Sequence, residues 1–63
     1  MRRDVIELTE TDVLEAFEQV PAMGLDEFAE VTDTDHDTAN HALLMFQRKG
    51  LLQRHGFVWS LKQ

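Results

Sequence analysis

The sequence predicts a small α+β domain, mainly helical, in which three helices precede a C-terminal two-stranded β-hairpin. Three segments place apolar residues at helical spacing, and the last segment alternates apolar with polar residues. A chain of 63 residues, of which 43% are hydrophobic, has the size and composition of one folded unit. We therefore expect a single domain over residues 1–63.

The first helix is predicted from about residue 10 to residue 20. Thr9 is the expected N-cap, because its hydroxyl can accept a hydrogen bond from the first turn. Pro21 ends the helix, since a proline pushes the preceding residue out of the helical region. Ahead of this helix, residues 4–8 are compatible with either a short strand or an extended arm. The apolar stripe, at positions i, i+3, i+4 and i+7, comprises Val13, Ala16, Phe17 and Val20.

Two further helices are predicted, over about residues 25–31 and 36–49, with a short polar turn between them. Gly24 and Asp35 are the expected N-caps. Gly50 ends the third helix, because glycine readily takes the left-handed conformation found just past a helix C-terminus. The inward residues of these helices are Leu25, Phe28 and Ala29 in the second and Ala39, Ala42, Leu43 and Phe46 in the third.

The C-terminal segment predicts a β-hairpin with strands at residues 51–54 and 57–61. His55 and Gly56 are the expected two-residue connection, in which glycine supplies a positive φ. A period of two places Trp59 on the covered face, and core packing is favoured over an exposed stacking role for this lone tryptophan. In the second strand, Phe57, Trp59 and Leu61 alternate with Val58, Ser60 and Lys62.

The composition restricts where the protein works. Without cysteine the chain has neither disulfides nor thiolate metal ligands, which is typical of a reducing cytoplasm. The sequence contains neither a signal peptide nor an apolar run of about 20 residues, so we expect a cytoplasmic protein that binds no membrane.

The charge balance is strongly acidic. Twelve acidic residues face six lysines and arginines, for a formal net charge of −6. Aspartate-rich stretches with few lysines look like those of proteins from halophilic archaea, although a solvated acidic surface that serves solubility explains them equally well. The acids fall between Asp4 and Asp37, whereas the C-terminal third carries Arg48, Lys49, Arg54 and Lys62.

Catalytic, cofactor and metal sites are not predicted. Asp33, Asp35 and Asp37 are spaced like the start of a calcium-binding loop, but Thr38 stands where the sharp turn needs glycine and Leu44 where a bidentate glutamate is required. The pair Asp37 and His41 offers only two ligands to a metal, too few for a zinc site. With a single serine and no glycine-rich phosphate loop, we expect a protein that is not an enzyme.

The order of the predicted elements resembles the winged helix-turn-helix domains of archaeal and bacterial transcription regulators. The segment LDEFAE at residues 25–30 is similar to the second helix of that family, and FVWSL at residues 57–61 is similar to its returning wing strand. The passage from the third helix into the first wing strand resembles the family at Ala42, Leu43, Phe46, Lys49, Gly50, Leu51 and Leu52. The resemblance covers nearly the whole chain and implies a DNA-binding regulator.

In DNA-binding members of this family the third helix enters the major groove and the wing touches the backbone. The resemblance thus implies that residues 36–49 read double-stranded DNA and that the short wing at residues 51–61 contacts phosphate. Asn40 could then read adenine, and Arg48 could pair with guanine or phosphate. The candidate DNA-binding residues are Thr38, Asn40, His41, Arg48, Lys49, Arg54 and His55.

An alternative function is a protein-interaction module of the same fold. Leu44 and Met45 stand where the family usually places polar residues, and Val58 adds to this apolar surface. A homodimer is also compatible with the sequence, through the first helix or through the apolar residues Val5, Ile6 and Leu8 of the N-terminal segment.

Overall fold

Three helices and three short strands form a small α+β fold, mainly helical, in residues 8–62, which the computed structural model describes. The helices are α1 (Glu10–Gln19), α2 (Leu25–Thr32) and α3 (His36–Arg48). The strands are β1 (Ala22–Met23), β2 (Leu52–His55) and β3 (Val58–Leu61). The three predicted helices are confirmed, with ends that differ from the predicted ones by one residue.

Helix α1 begins with a reciprocal cap. The backbone N–H of Asp12 donates to Thr9 Oγ1 at 3.2 Å, and the backbone N–H of Thr9 donates to Asp12 Oδ2 at 3.1 Å. The helix ends at Gln19, because Val20 precedes Pro21 and takes an extended conformation. Thr9 is thus confirmed as the N-cap.

A tight turn at Asp33 and Thr34 joins α2 to Asp35, the N-cap of α3. Asp33 takes a left-handed conformation with φ 58°, the only non-glycine residue with positive φ in the described part of the chain. The backbone N–H groups of Asp33 and Thr34 donate to the carbonyls of Glu30 and Ala29 at 3.2 and 3.0 Å. These two bonds satisfy carbonyls at the end of α2 and turn the chain toward α3.

The C-terminus of α3 uses the same type of cap with glycine. Gly50 has φ +87°, and its N–H donates to the carbonyl of Gln47 at 3.1 Å, while that of Leu51 donates to Phe46 at 2.9 Å. This cap confirms the predicted stop at Gly50 and directs the chain into β2.

The predicted two-stranded sheet is wrong, because the sheet has three strands. Its order is β1-β3-β2, and all pairs are antiparallel. In the additional pair, Ala22 lies opposite Ser60 and Met23 opposite Trp59. A strand of two residues is too short to produce an alternating pattern, so periodicity could not predict β1.

The predicted hairpin turn is also wrong, by one residue. The closing pair is His55 and Val58, so that Gly56 and Phe57 form the connection. Gly56 has φ +67° at the first central position, as in a type II′ turn. This shift removes Phe57 from the strand alternation and leaves it 87% exposed.

The core lies between the helices and one face of the sheet. Its buried residues are Val13, Ala16, Phe17, Met23, Phe28, Ala29, Ala39, Ala42, Leu43, Phe46, Leu52 and Trp59. Phe17 stacks on Phe28 with ring centroids 5.6 Å apart. The inward face predicted for α3 is confirmed, and Trp59, 5% exposed, lies on the covered face of β3 as predicted. Val20, Leu25 and Leu61 are half-buried at the margin of this core.

Two expectations concern regions at or beyond the margins of the fold. In residues 8–62, no helix has both the length and the apolar character needed to cross a membrane. The strand or arm predicted for residues 4–8 lies outside the described residues except for Leu8, which is half-buried against the core. The predicted dimer contact through Val5 and Ile6 also lies outside them.

Candidate nucleic-acid interface

The exposed face of α3 carries a stripe of three residues one or two helical turns apart. Because Ala39, Leu43 and the other inward residues face the core, His41, Leu44 and Arg48 point outward. His41 and Arg48 are exposed, and Leu44 is 44% exposed. An outward stripe of this length can follow the groove of a nucleic acid or the surface of another protein.

Other predicted residues of α3 lie on the flanks of this stripe. Thr38 and Asn40 are about 160° apart around the helix axis, so they cannot both face the same groove wall. Thr38 is half-buried, and its backbone N–H donates to Asp35 Oδ1 at 2.8 Å. Asn40 is exposed. The stripe and Asn40 therefore form the accessible part of α3, while Thr38 takes part in its cap.

Met45 and Lys49 lie on the same flank as Thr38. Met45 is half-buried and packs against the core. The Lys49 Nζ atom lies 5.6 Å from the centroid of the Phe46 ring, within the range of a cation–π contact. Leu44 is thus the more accessible of the two apolar residues that the sequence singled out on α3.

A chain of side-chain contacts joins α3 to the hairpin. Trp59 Nε1 donates to Gln47 Oε1 at 3.2 Å. The Arg54 Cζ atom lies 5.8 Å from the centroid of the same indole ring. We call Gln47, Trp59 and Arg54 the seam, because a glutamine of the third helix and an arginine of the hairpin both contact this indole. The seam limits the orientations open to Arg54, so part of the entropy cost of binding an anion is already met.

The two candidate DNA-binding residues of the hairpin do not share one face. Arg54 pairs with Trp59 and His55 with Val58, and successive residues of a strand point to opposite faces. Arg54 is on the face that packs against the helices, while His55 and Val58, which is 41% exposed, are on the outer face. Arg54 is therefore placed to act together with α3, and His55 reaches a ligand only from the hairpin's end or outer side.

Charge is segregated along the chain and between surfaces. From residue 38 to the C-terminus the sequence has four cations and no aspartate or glutamate. The cations, all exposed, are Arg48, Lys49, Arg54 and Lys62. In the described residues the one ion pair is His36 Nε2 with Asp26 Oδ1, at 2.6 Å, between the starts of α3 and α2. The four cations therefore form no ion pair with a carboxylate of residues 8–62.

An acidic end adjoins this basic region at the start of α3. The backbone N–H and the hydroxyl of Thr38 hydrogen-bond the Asp35 carboxylate, and these bonds, together with nearby His36, hold the pKa of Asp35 below its usual value. Asp37 follows on the exposed surface. A phosphate would be repelled at this end of the helix, so the C-terminal end of α3 is the favourable side for a nucleic acid.

Two of the three aspartates that resemble the start of a calcium loop serve as helix caps. Asp33 ends α2, and Asp35 caps α3. A shallow groove beside them is lined by Asp26, Ala29, Glu30, Asp33, Thr34 and His36. Among the residues that the structure describes, no group of three or more histidine, aspartate or glutamate side chains could hold a metal ion.

Sequence reasoning missed two residues of this region. Gln47 is not among the predicted site residues, because only the packing of the hairpin on α3 brings it to the indole N–H of Trp59, which needs an acceptor. The sequence predicts Phe57 on a strand face, and only the register of the turn shows that it lies at the tip. Comparison of the chain with family models, with curated proteins and with solved structures gives no match.

Proposed function

We propose that the chain is a non-enzymatic winged helix-turn-helix domain that binds double-stranded DNA as a transcription regulator. The exposed stripe of α3 would lie in the major groove, and the hairpin, as a short wing, would contact the backbone beside it. The proposal includes neither a cofactor nor a metal.

The observation that carries this proposal is the segregation of charge onto one part of the fold. Four cations that form no ion pair with a carboxylate of residues 8–62 lie on the end of α3 and the hairpin. Phosphate neutralisation supplies most of the non-specific affinity of DNA-binding proteins. The order of two helices, a tight turn, a third helix and a hairpin, with both turn caps in place, supports the same reading.

The residues have distinct roles in this proposal. Arg48 projects from the exposed stripe and would pair with guanine or with phosphate, while Asn40 would read adenine at the edge of the groove. Arg54, held in the seam against Trp59, would contact a backbone phosphate. His41 and His55 would add base or phosphate contacts, and Lys49 would strengthen the positive potential at the end of α3.

The net charge of −6 sets the conditions under which binding is expected. At low salt, the acidic residues of α1 and α2 repel DNA over long distances, although they do not belong to the proposed binding surface. At about 1 M salt the Debye length is about 3 Å, so that long-range repulsion and attraction are both screened. A protein of a halophilic host, as the acid-rich composition suggests, would then bind through close hydrogen bonds and apolar contacts.

The test is a titration of the purified protein with a mixed-sequence duplex, from low to multi-molar salt. If the four cations each contact a phosphate, log K should fall against log salt with a slope of about −3.6 at the low-salt end. Arg54→Gln and Lys62→Gln should each make this slope less negative by about 0.9, whereas Arg54→Gln should reduce the affinity more, because Lys62 lies outside the seam. Absence of binding at every salt concentration, including to DNA from the gene's own locus, would contradict the proposal.

A second candidate function is a protein-interaction module of the same fold, favoured by two exposed apolar residues that lie on different elements. Leu44 and Val58 are 44% and 41% exposed, on α3 and on the outer face of the sheet. Met45, the third residue of this candidate surface, is half-buried and contributes less. A carboxylate at Leu44 distinguishes the two functions.

The Leu44→Glu variant should abolish self-association or partner capture if the apolar surface binds protein. Leu44→Gln, similar in size but uncharged, is its control. If association is unchanged by Leu44→Glu while DNA binding collapses, the protein-interaction reading fails and the DNA reading is retained.

A further inference from the structure

Phe57 is the most exposed large apolar residue among those described, at 87%, and it occupies the tip of the hairpin. Its side chain is not needed for the turn, because the positive φ is supplied by Gly56 and the second central position of a type II′ turn accepts polar residues. The ring contributes nothing to the core and is accessible to a partner. The Phe57 ring is therefore a candidate binding residue.

The surroundings of the tip limit which partner can meet this ring. Strand β2 brings Arg54 and His55 to the tip, and no aspartate or glutamate follows residue 37 in the sequence. On the other side, the Phe57 carbonyl oxygen lies about 3.2 Å from where a Cβ on Gly24 would stand, next to the start of α2. That first turn carries two exposed acids, Asp26, whose carboxylate is engaged by His36, and Glu27. On the hairpin itself, an exposed aromatic ring on the same strand pair as Arg54 fits a nucleic acid, which offers stacked bases within a frame of phosphates.

The reach of the hairpin limits how this contact is made. Each of its strands has four residues and the turn has two, so the hairpin cannot lie along a groove. Only the tip can enter, and Phe57 is the side chain that extends it. Apolar side chains that enter the minor groove act as wedges, which partly unstack one base step and kink the duplex.

We propose that Phe57 is such a wedge, which inserts between two base pairs of double-stranded DNA and bends it. This inference rests on the proposed DNA-binding function and adds a way in which the domain recognises the flexibility of the DNA sequence. Pyrimidine–purine steps unstack most easily, so the wedge would give the domain a preference for flexible steps such as TA without hydrogen bonds to those bases.

The test uses the full chain and two 20-base-pair duplexes of equal composition, one with a central TA step and one with a rigid A-tract. The distance between dyes at the duplex ends reports bending, and the fluorescence of 2-aminopurine beside the TA step reports unstacking. The wild-type protein should shorten the end-to-end distance and raise the fluorescence with the TA duplex, and should bind the A-tract duplex more weakly.

Phe57→Ala should abolish both signals and weaken binding to the TA duplex about tenfold, as expected for the loss of one stacked base. The salt slope should stay unchanged, because no charge is removed. Phe57→Leu, which keeps an apolar wedge, should retain part of the bend. Val58→Ala, the neighbouring exposed residue on the sheet face, is the matched control and should behave like the wild type. Thermal unfolding should be the same for the wild type, Phe57→Ala and Phe57→Leu, because the Phe57 side chain is 87% exposed.

Two results would overturn this inference while leaving the proposed function intact. In one, the wild-type protein binds both duplexes equally and neither bends nor unstacks them. In the other, Phe57→Ala leaves the bend unchanged, or converts a dimer in solution to a monomer, which would make the tip a contact between copies. Failure of the wild-type protein to bind any duplex at any salt would instead overturn the proposed function and the inference together.

Discussion

The part of the fold before residue 38 and the part after it contribute alike to the interior and differ at the surface. Each supplies six of the twelve buried core residues. Yet all twelve acids lie in the first part, and four of the six lysines and arginines lie in the second. Equal shares of the core do not explain the difference in charge. Under the proposed function, the second part is the surface that binds an anionic partner.

The largest expected effects test whether the two parts of the fold share one core. Phe28 belongs to the first part and Leu43 to the second, and both are fully buried. Replacement of either by alanine should lower the free energy of unfolding by about 3–4 kcal/mol, a large fraction of the stability of so small a domain. Both variants should show one cooperative transition by circular dichroism. Loss of structure confined to one part in either variant would contradict a single shared core.

A medium effect is expected at the seam, which ties the second part together. Gln47→Ala leaves the Trp59 indole N–H without its acceptor and should cost about 1 kcal/mol in urea unfolding. In a Trp59→Phe background, which has no indole N–H, the same substitution should cost less. Equal costs in the two backgrounds would mean that the hydrogen bond contributes nothing. Gln47→Ala should also weaken DNA binding, because it loosens the support of Arg54.

A smaller effect, which raises the free energy of unfolding, is expected at Asp33, near the boundary between the two parts. Asp33 holds a left-handed conformation that glycine adopts without strain. Asp33→Gly should raise the free energy of unfolding by about 0.5–1 kcal/mol. Asp33→Asn, which removes the same charge from the acidic surface, is the control. If Asn stabilises as much as Gly, relief of charge repulsion explains the gain and the backbone explanation is wrong.

The smallest effect is a pH dependence at the cap of α3. Hydrogen bonds from Thr38 lower the pKa of Asp35 in the folded protein below its ordinary value of 3.8. The stability from this cap is therefore fully present above pH 3.8 and is lost as the pH falls through the lower folded pKa. Asp35→Asn keeps a capping side chain but does not titrate. The difference in stability between wild type and this variant should shrink below pH 3.8, whereas a constant difference would contradict the assignment.

The helices were predictable from sequence because local signals agreed with packing. Thr9, Asp35 and Gly50 each perform the capping role that their residue type predicts, and the apolar stripes of α1 and α3 are buried. The sheet was less predictable. Strand β1 depends on a partner more than thirty residues away, and the turn register depends on whether Gly56 takes the first or second central position. A shift by one residue moved Phe57 from an expected strand face to the tip.

The candidate interface was predictable only in part. Helical spacing identified the exposed stripe with His41 and Arg48, and strand alternation identified the inward position of Trp59. The seam could not be derived from spacing, because the Gln47 contact to Trp59 depends on how the hairpin folds back on α3. The faces of the sheet on which Arg54 and His55 lie could not be predicted either, because they depend on the register of the hairpin.

The central claim is that the location of the cations, and not the net charge of the protein, governs DNA binding. Two double variants with the same net charge of −8, lowered from −6, test it most directly. Arg48→Gln with Arg54→Gln removes two charges from the second part. Thr11→Glu with Gln19→Glu adds two charges to exposed positions of α1.

Equilibrium titration of both variants with one duplex, at equal salt, gives the decisive comparison. The first variant should lose most of its affinity and show a salt slope less negative by about 2, while the second should bind nearly as the wild type does. Equal weakening of the two variants would contradict the claim, because net charge alone would then explain binding.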